Sequence, residues 1–165
     1  SWYNRAMVEP VFGFCTEDEH EAFLKGVVGF EKDLVRTGTI LVKLYFSVTK
    51  EEQAKRFKRR KSDPLRNWKL SEVDLQAQDK WDEFSDMKYK MLKKTSTEPA
   101  PWTIIRSGDK RGARMNAMRV ILNAVPYEDR SPDLNFTPDP DIVISGMEEI
   151  ELMEAIRADV GRFTY

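Results

Sequence analysis

The chain has 165 residues, of which 41% are hydrophobic and 33% are charged, and its formal net charge is −1. This length suffices for one domain with a real core. No run of the sequence approaches the roughly eighteen apolar residues that a membrane span needs, and no signal peptide opens the chain. The single cysteine, Cys15, excludes a disulfide framework and favours a reducing cytoplasm. With one histidine, His20, a zinc site or a Cys–His nucleophile pair is disfavoured, so we interpret both residues as packing or surface residues.

The first half of the chain predicts a helix, a strand and a second helix. Residues 18–36 form the first helix, and Gly38 ends it. Its predicted core-facing stripe has helical spacing and consists of Phe23, Val27, Phe30 and Leu34. Residues 39–48 are almost continuously apolar, which predicts a parallel strand buried on both faces. Lys43 within this strand then needs a carboxylate partner or a position near the strand end. A capping box at 49–52 opens the next helix.

The second half predicts a helix from Ser71 to about Lys94, a strand at 102–106 and a helix from Lys110 to Ala124. Short connections between these elements indicate an α/β architecture with right-handed crossovers. From Pro126 onward four prolines predict an irregular stretch: Pro126, Pro132, Pro138 and Pro140. An acidic amphipathic helix follows, marked by Met147, Ile150, Met153, Ile156 and Val160. This helix either packs on its own domain or docks on a neighbouring subunit.

Residues 55–69, called here the basic segment, concentrate positive charge. They contain one acid, Asp63, and the following eight basic residues: Lys55, Arg56, Lys58, Arg59, Arg60, Lys61, Arg66 and Lys69. Such a concentration costs self-repulsion, which a partner with closely spaced negative charge relieves. The Asp63-Pro64 pair interrupts any helix, so the cations lie at a helix end, on a turn and at the approach to the next helix. This arrangement suits a flap over a polyanion.

The sequence leaves three hypotheses for this segment. Since neither a Walker A nor a dinucleotide-binding glycine pattern is present, phosphate groups would be held by cations, and a cation cluster can support phosphoryl transfer without a nucleophile. A nucleic-acid-binding module would use Arg59 to Lys69 as phosphate contacts and Trp68 as a stacking platform. A module that binds phosphorylated proteins is the third. The slightly acidic total charge and the rigid Asp63-Pro64 turn disfavour nucleic acid.

Short motifs run in order from Ser1 to about Tyr127. They are Ser-Trp-Tyr-Asn-Arg at 1–5, Val-Phe-Gly-Phe-Cys at 11–15, Asp-Pro-Leu-x-x-Trp-Lys-Leu-Ser at 63–71, Asp-Leu at 74–75, Trp81, Pro-Trp at 101–102, Asp-Lys at 109–110 and Ala-Arg at 113–114. In these motifs the chain resembles the family-2 polyphosphate kinases, and the 63–71 string is specific. Residues beyond Tyr127 match no motif of that family.

The resemblance implies a P-loop kinase-like α/β/α fold with three layers, a parallel sheet and a helical lid. It implies phosphoryl transfer between inorganic polyphosphate and a nucleotide, with Mg²⁺ as cofactor, in a homo-oligomer that is a tetramer or a dimer. Nucleic acid and membrane are not expected partners. The Trp-Tyr-Asn-Arg motif is similar to members that act on nucleoside diphosphates. Residues 1–127 would be the C-terminal part of the kinase domain, with a lid at about 55–95, and 128–165 an arm.

Three departures from the family pattern accompany the resemblance. The Walker A loop and an Asp-Arg pair that should precede Ser1 lie outside the chain, which also begins without methionine. We therefore expect a C-terminal portion of a longer protein, metal ligands upstream of Ser1, and no activity from these residues alone. Arg66 stands where the family often has Lys, and Gly112 stands in a run that is usually basic.

The resemblance also implies residue roles. Catalytic roles are implied for Arg5, Arg60 and Asp74, the last of which could orient an arginine or hold Mg²⁺ through water. Phosphate contacts are implied for Asn4, Arg59, Lys61, Arg66 and Lys69. Nucleotide contacts are suggested for Lys110 and Arg114 at a helix N-terminus after a strand. For these two, a solvated helix face is the open alternative.

Overall fold

The computed structural model describes residues 1–163, which form seven helices and three strands. The helices are α1 (Val8–Phe12), α2 (Glu17–Arg36), α3 (Lys50–Ser62), α4 (Glu72–Gln76), α5 (Trp81–Thr95), α6 (Lys110–Ala124) and α7 (Gly146–Val160). The strands are β1 (Lys43–Ser47), β2 (Trp102–Arg106) and β3 (Val143–Ser145). Short 3-10 turns lie at Trp2–Ala6 and Asn67–Lys69.

The sheet has the order β1-β2-β3 and is mixed. β1 and β2 are parallel, as predicted, with Lys43 opposite Trp102 and Ser47 opposite Arg106. β3 is antiparallel to β2 and lies in the stretch that the sequence predicted to be irregular. Three residues are too few to show a strand period, so the prediction of an all-parallel sheet missed it.

Helices lie on both faces of the sheet. On one face, Trp102 and Ile104 pack in a core with Leu24 of α2, Met91 and Leu92 of α5, and Ile150 and Met153 of α7. Side chains alternate along a strand, so the buried Ile105 points to the opposite face, where α6 packs against β2. The arrangement agrees with the predicted three-layer architecture.

The buried face of α2 differs from the predicted stripe. Phe30 is half-exposed, whereas His20 and Glu31 are buried together with Leu24 and Val27. The cause is a buried ion pair, because the Lys43 Nζ atom lies 2.7 Å from Glu31 Oε2. Lys43 also donates to the Thr95 carbonyl at 2.7 Å and to the Tyr3 hydroxyl at 3.2 Å. The prediction that Lys43 needs a carboxylate partner is therefore confirmed.

The prediction for β1 is wrong in two respects. The strand begins at Lys43 rather than Thr39, and it is not buried on both faces, since Phe46 is half-exposed. Within the described residues β1 pairs with β2 alone and forms an edge of the sheet, which leaves one side of the strand uncovered. A continuous apolar run cannot distinguish an edge strand from a central one.

The predicted helix over 71–94 is two helices separated by a turn at 77–80. In this turn the Gln78 side-chain amide donates to Gln53 Oε1 at 2.5 Å, across to α3. α5 then begins at Trp81, whose side chain is buried.

α7 packs on its own domain, against α5 and β2. Ile150 and Met153 are buried, but Met147 and Val160 of the predicted apolar face are half-exposed. Ser145 and Glu148 form a capping box at the start of the helix. Of the two predicted arrangements, packing on its own domain is therefore present.

The N-terminus of α7 meets β2 closely at Gly146, and we expect Gly146→Ala to destabilise the protein. A Cβ atom there would lie 2.9 Å from Trp102 Cβ and 3.1 Å from the Trp102 carbonyl oxygen. Overpacking of this kind costs roughly 1–3 kcal/mol. Gly29→Ala is the matched control, because Gly29 lies inside α2 with nothing within 4 Å of the new Cβ. That variant should be stabilised by about 0.5–1 kcal/mol. Urea unfolding of both variants should show a lower free energy of unfolding for Gly146→Ala and a higher one for Gly29→Ala.

Candidate functional site: a cationic cavity between helices α3 and α6

α3 carries the first half of the basic segment. Thr49 caps the helix by accepting a hydrogen bond from the Glu52 amide at 3.2 Å. The helix ends at Ser62. The next residue is Asp63, whose carboxylate accepts from the Leu65 amide at 3.0 Å and from Arg66 Nε at 2.6 Å. Asp63 thus closes the turn at Pro64 and directs Arg66 back towards α3.

α4 supplies the partner of Arg60. Ser71 and Asp74 form a capping box at the start of α4, in which Asp74 Oδ2 accepts from the Ser71 amide at 3.1 Å. The same carboxylate oxygen lies 3.4 Å from Arg60 Nη1. Asp74 therefore orients Arg60 while it caps a helix.

α6 begins beside α3. Asp109 caps this helix by accepting from the amides of Arg111 and Gly112 at 3.0 and 2.8 Å, and these bonds lower the pKa of its carboxyl group. A Cβ atom on Gly112 would lie 2.8 Å from Asp109 Oδ2 and 2.9 Å from Ile142 Cδ1. Gly112, which stands in a run that is usually basic in the family, is therefore the residue that fits the packing around the cap. The helix N-terminus carries a partial positive charge next to Lys110.

A cavity of about 290 Å³ lies between these elements. Seven of the nine residues that line it are basic: Lys55, Arg56, Arg59, Arg60, Arg66, Lys69 and Lys110. Glu52 is the one acid in the lining. The cavity therefore has a strongly positive potential that an anion with several charges would relieve.

Burial and the crowding of positive charge lower the pKa of Lys110. Burial lowers the pKa of its ammonium group first, and the nearby arginines Arg56, Arg60, Arg66 and Arg59 lower it further. The carboxylates nearby are engaged already, Glu52 with Arg56 at 2.7 Å and Asp63 with Arg66. The Arg56 hydrogen bond lowers the pKa of Glu52. Phosphate oxygens are the chemical match for such a set of cations.

The structure brings some of the predicted site residues together and separates others. Five of them line the cationic cavity: Arg59, Arg60, Arg66, Lys69 and Lys110. Asn4 and Asp74 line a neighbouring cavity of about 450 Å³ that is mostly apolar. Arg5 is paired with Glu9 and, like Lys61 and Arg114, is not among the residues that line either cavity.

Two cavity residues, Lys55 and Arg56, belong to the basic segment but received no individual role in the sequence analysis. A signal for Arg56 was present, because residues 56 and 60 are four apart and share one face of a helix. Its partner Glu52 also lies four residues away on α3. Arg56 also donates to the carbonyl oxygens of Ser107 and Gly108 on the turn between β2 and α6. No sequence pattern indicated these contacts.

A second cluster of polar groups lies on α2. Glu17, His20 and Glu21 place one potential ligand atom each within 4.8 Å of one another, and His20 is fully buried. The Lys90 ammonium, however, lies 3.2 Å from Glu17 and 2.9 Å from Glu21, where it already neutralises both carboxylates. Burial lowers the pKa of His20, as expected for a packed neutral ring. This agrees with its interpretation as a packing residue.

The sequence matches the family model described as polyphosphate kinase 2 over residues 1–133. The chain belongs to this family. It is 45% identical over 150 residues to polyphosphate kinase PPK2B of Corynebacterium glutamicum, which covers 91% of the chain and 49% of that relative. It is 47% identical over 156 residues to NDP-polyphosphate phosphotransferase 2 of Ruegeria pomeroyi, which covers 94% of the chain and 45% of the relative. The chain thus spans about half the length of these curated relatives.

Solved structures of polyphosphate kinase 2 proteins share the fold. The protein from Arthrobacter aurescens TC1 matches with a TM-score of 0.70 and 31% identity, over 81% of this chain and 48% of that chain. A putative polyphosphate kinase 2 from Pseudomonas aeruginosa matches with a TM-score of 0.70 and 39% identity, over 75% of this chain and 27% of that chain. Within residues 1–163, none of the helices combines the length and apolar content required to cross a membrane.

Proposed function

We propose that the protein containing this chain is a cytoplasmic phosphotransferase that moves a phosphoryl group, reversibly, between inorganic polyphosphate and a nucleoside diphosphate. The observation that carries the proposal is the cationic cavity, in which seven Lys and Arg side chains face one space in a polyphosphate kinase 2 chain. Polyphosphate is a linear polyanion, so its closely spaced charges match these cations.

The cations act by positioning the phosphates and neutralising their charge. Phosphoryl transfer spreads negative charge over the equatorial oxygens of the transferring group, so donors that are already in place lower the barrier. Arg60, oriented by Asp74, holds the transferring group with its planar fork. The polymer runs along a track of four residues: Arg59, Lys61, Arg66 and Lys69. Lys110 on the cavity wall contacts the nucleotide phosphates. The resemblance to the family also assigns Arg114 to the nucleotide and Asn4 and Arg5 to the transferring group, although Arg5 and Arg114 do not line the cavity.

We propose Mg²⁺ as the cofactor, although the described acids around the cationic cavity do not fit a direct Mg²⁺ site. They lie beside seven cations, which repel a divalent ion, and several of their oxygens are already engaged: Asp74 Oδ2 by Arg60 and the Ser71 amide, and both Asp109 oxygens by backbone amides. The role of Asp74 is therefore to orient Arg60.

The oligomeric state of the protein and the lid and arm of this chain follow from the same family resemblance. We propose a homo-oligomer, tetramer or dimer. We also propose a lid within residues 55–95 over the kinase domain and a C-terminal arm at 128–165, whose strand β3 and helix α7 pack on that domain. α5 of this range packs in the core, so the part of the lid able to move would be the stretch before Trp81.

The proposal is tested by an activity assay on the intact protein. Purified protein, ADP or GDP, Mg²⁺ and polyphosphate of defined length are incubated, and ATP or GTP is quantified by chromatography. Nucleoside triphosphate should form only when polyphosphate is present. Omission of polyphosphate and replacement by orthophosphate are the controls. If no triphosphate forms from any diphosphate, the proposed function is wrong.

A further inference from the structure

Two polar side chains of α3, Gln53 and Arg56, make hydrogen bonds to the body of the domain. None of the described residues of α3 is buried, although the helix carries four of the seven cations of the cavity. Gln53 contacts Gln78 in the turn before α5, and Arg56 contacts the turn between β2 and α6. The position of this helix therefore depends on a few side chains, of which Arg56 faces the other wall of the cavity.

The guanidinium group of Arg56 joins three groups. Its Nε atom donates to Glu52 Oε1 at 2.7 Å, and its Nη2 atom donates to the carbonyl oxygens of Ser107 and of Gly108, the latter at 3.2 Å. The Arg56 side chain is 19% exposed, compared with 41% for Arg66. Two of its nitrogens are thus engaged within the protein.

The turn that Arg56 contacts is itself fixed. The Ser107 amide and hydroxyl both donate to the Ser47 carbonyl at 2.8 Å, at the end of β1. Two residues later, Asp109 caps α6, and Lys110 follows on the wall of the cavity opposite α3. A tether from α3 to this turn therefore sets the distance between the cations of α3 and Lys110.

We propose that Arg56 is a positioning residue that tethers α3 to the β2–α6 turn and holds the two walls of the cationic cavity together. This inference rests on the proposed function and adds a different role for one of the seven cations. The proposed function assigns other cations of the cavity to phosphate groups of the polymer, the transferring group or the nucleotide, whereas Arg56 donates to two carbonyl oxygens and to Glu52. The alternative is that Arg56 is one more binding charge.

The test compares Arg56→Gln, Arg56→Lys and Arg59→Gln in the intact protein. Arg59 is the matched control because it is exposed, lies on the same helix and lines the same cavity. Steady-state kinetics with ADP and polyphosphate over a series of salt concentrations gives kcat, KM and the salt slope. Hydrogen exchange of the α3 amides, measured without ligand, reports the attachment of the helix.

A tether predicts that Arg56→Gln lowers kcat by about 10- to 100-fold, as expected for losing hydrogen bonds to a charged group, and leaves the salt slope unchanged. The α3 amides should exchange faster. Arg56→Lys should restore little of kcat, since an ammonium group cannot reproduce the planar fork. Arg59→Gln should instead raise KM, flatten the salt slope by about one unit and leave exchange unchanged.

The proposal is overturned if Arg56→Gln behaves like Arg59→Gln, or if Arg56→Lys restores full activity, because charge alone would then suffice. Unchanged exchange in α3 would also overturn it. If the wild-type protein makes no nucleoside triphosphate, the proposed function fails, whereas the exchange comparison between the two glutamine variants still tests the tether.

Discussion

Replacing Arg60 by alanine should lower kcat by about 30- to 1,000-fold, which corresponds to a loss of roughly 2–4 kcal/mol of transition-state stabilisation. Arg60 lines the cationic cavity and is held by Asp74 at 3.4 Å, so its fork is oriented before the substrate arrives. A contact that strengthens as charge moves onto the transferring group affects kcat rather than KM alone. Steady-state kinetics of the intact protein with ADP and polyphosphate measures both parameters.

Two variants are the controls for Arg60. Arg60→Lys keeps the charge but loses the bidentate geometry, so it should restore little of the rate. Arg66→Gln removes a charge paired with Asp63, so it should weaken polyphosphate binding and flatten the salt dependence. If Arg60→Ala changes only KM and the salt slope, Arg60 is a binding charge, and the catalytic assignment moves to Arg5 or to residues before Ser1.

Replacing Lys43 by methionine should lower the free energy of unfolding by about 3–5 kcal/mol. Methionine keeps the volume of the side chain but leaves the Glu31 carboxylate buried without a cation, in a side chain that is 1% exposed. The Tyr3 hydroxyl and the Thr95 carbonyl also lose their donor. Urea unfolding of the intact protein measures the difference.

The double variant Lys43→Met/Glu31→Leu should recover most of this loss, because replacing a whole buried pair by apolar residues is often neutral or stabilising. Lys93→Met is the surface control. Its partner Glu154 lies 2.9 Å away, and both side chains are about half-exposed, so the cost should stay below about 1 kcal/mol. Equal costs for Lys43→Met and Lys93→Met would show that the Lys43–Glu31 pair does not stabilise the fold.

The parts of the fold that follow from local signals were predictable. β2 and α6 have the predicted bounds, and Ser71 and Asp74 form a capping box at the start of α4. At Thr49 only half of the predicted capping box forms, because Thr49 caps the Glu52 amide while the Glu52 carboxylate pairs with Arg56. The inward position of Glu31 was not predictable, because it depends on Lys43 from another element. β3 is three residues long and is defined only by its partner β2. The exposure of Phe46 likewise depends on which helices cover its face of the sheet.

The site also has a part that local sequence signals predict and a part that depends on the tertiary fold. Most of the cations that line the cavity come from one contiguous segment, so the sequence alone locates them between Lys55 and Lys69. The approach of Lys110 from α6 depends on the order of the strands and on the turn after β2. Arg5 does not line the cavity and is paired with Glu9 instead. This position depends on the path of the chain after Ala6.

Equilibrium binding of polyphosphate tests the central claim most directly, because the cationic cavity is held to bind a phosphate chain. Fluorescently labelled polyphosphate is titrated with the intact protein, and with the variant Arg59→Gln/Arg66→Gln, at several salt concentrations, with single-stranded DNA as competitor. We predict that the double variant binds more weakly with a salt slope about two units smaller, and that DNA competes poorly. Unchanged binding by the double variant, or DNA displacing polyphosphate at equal charge concentration, would contradict the account.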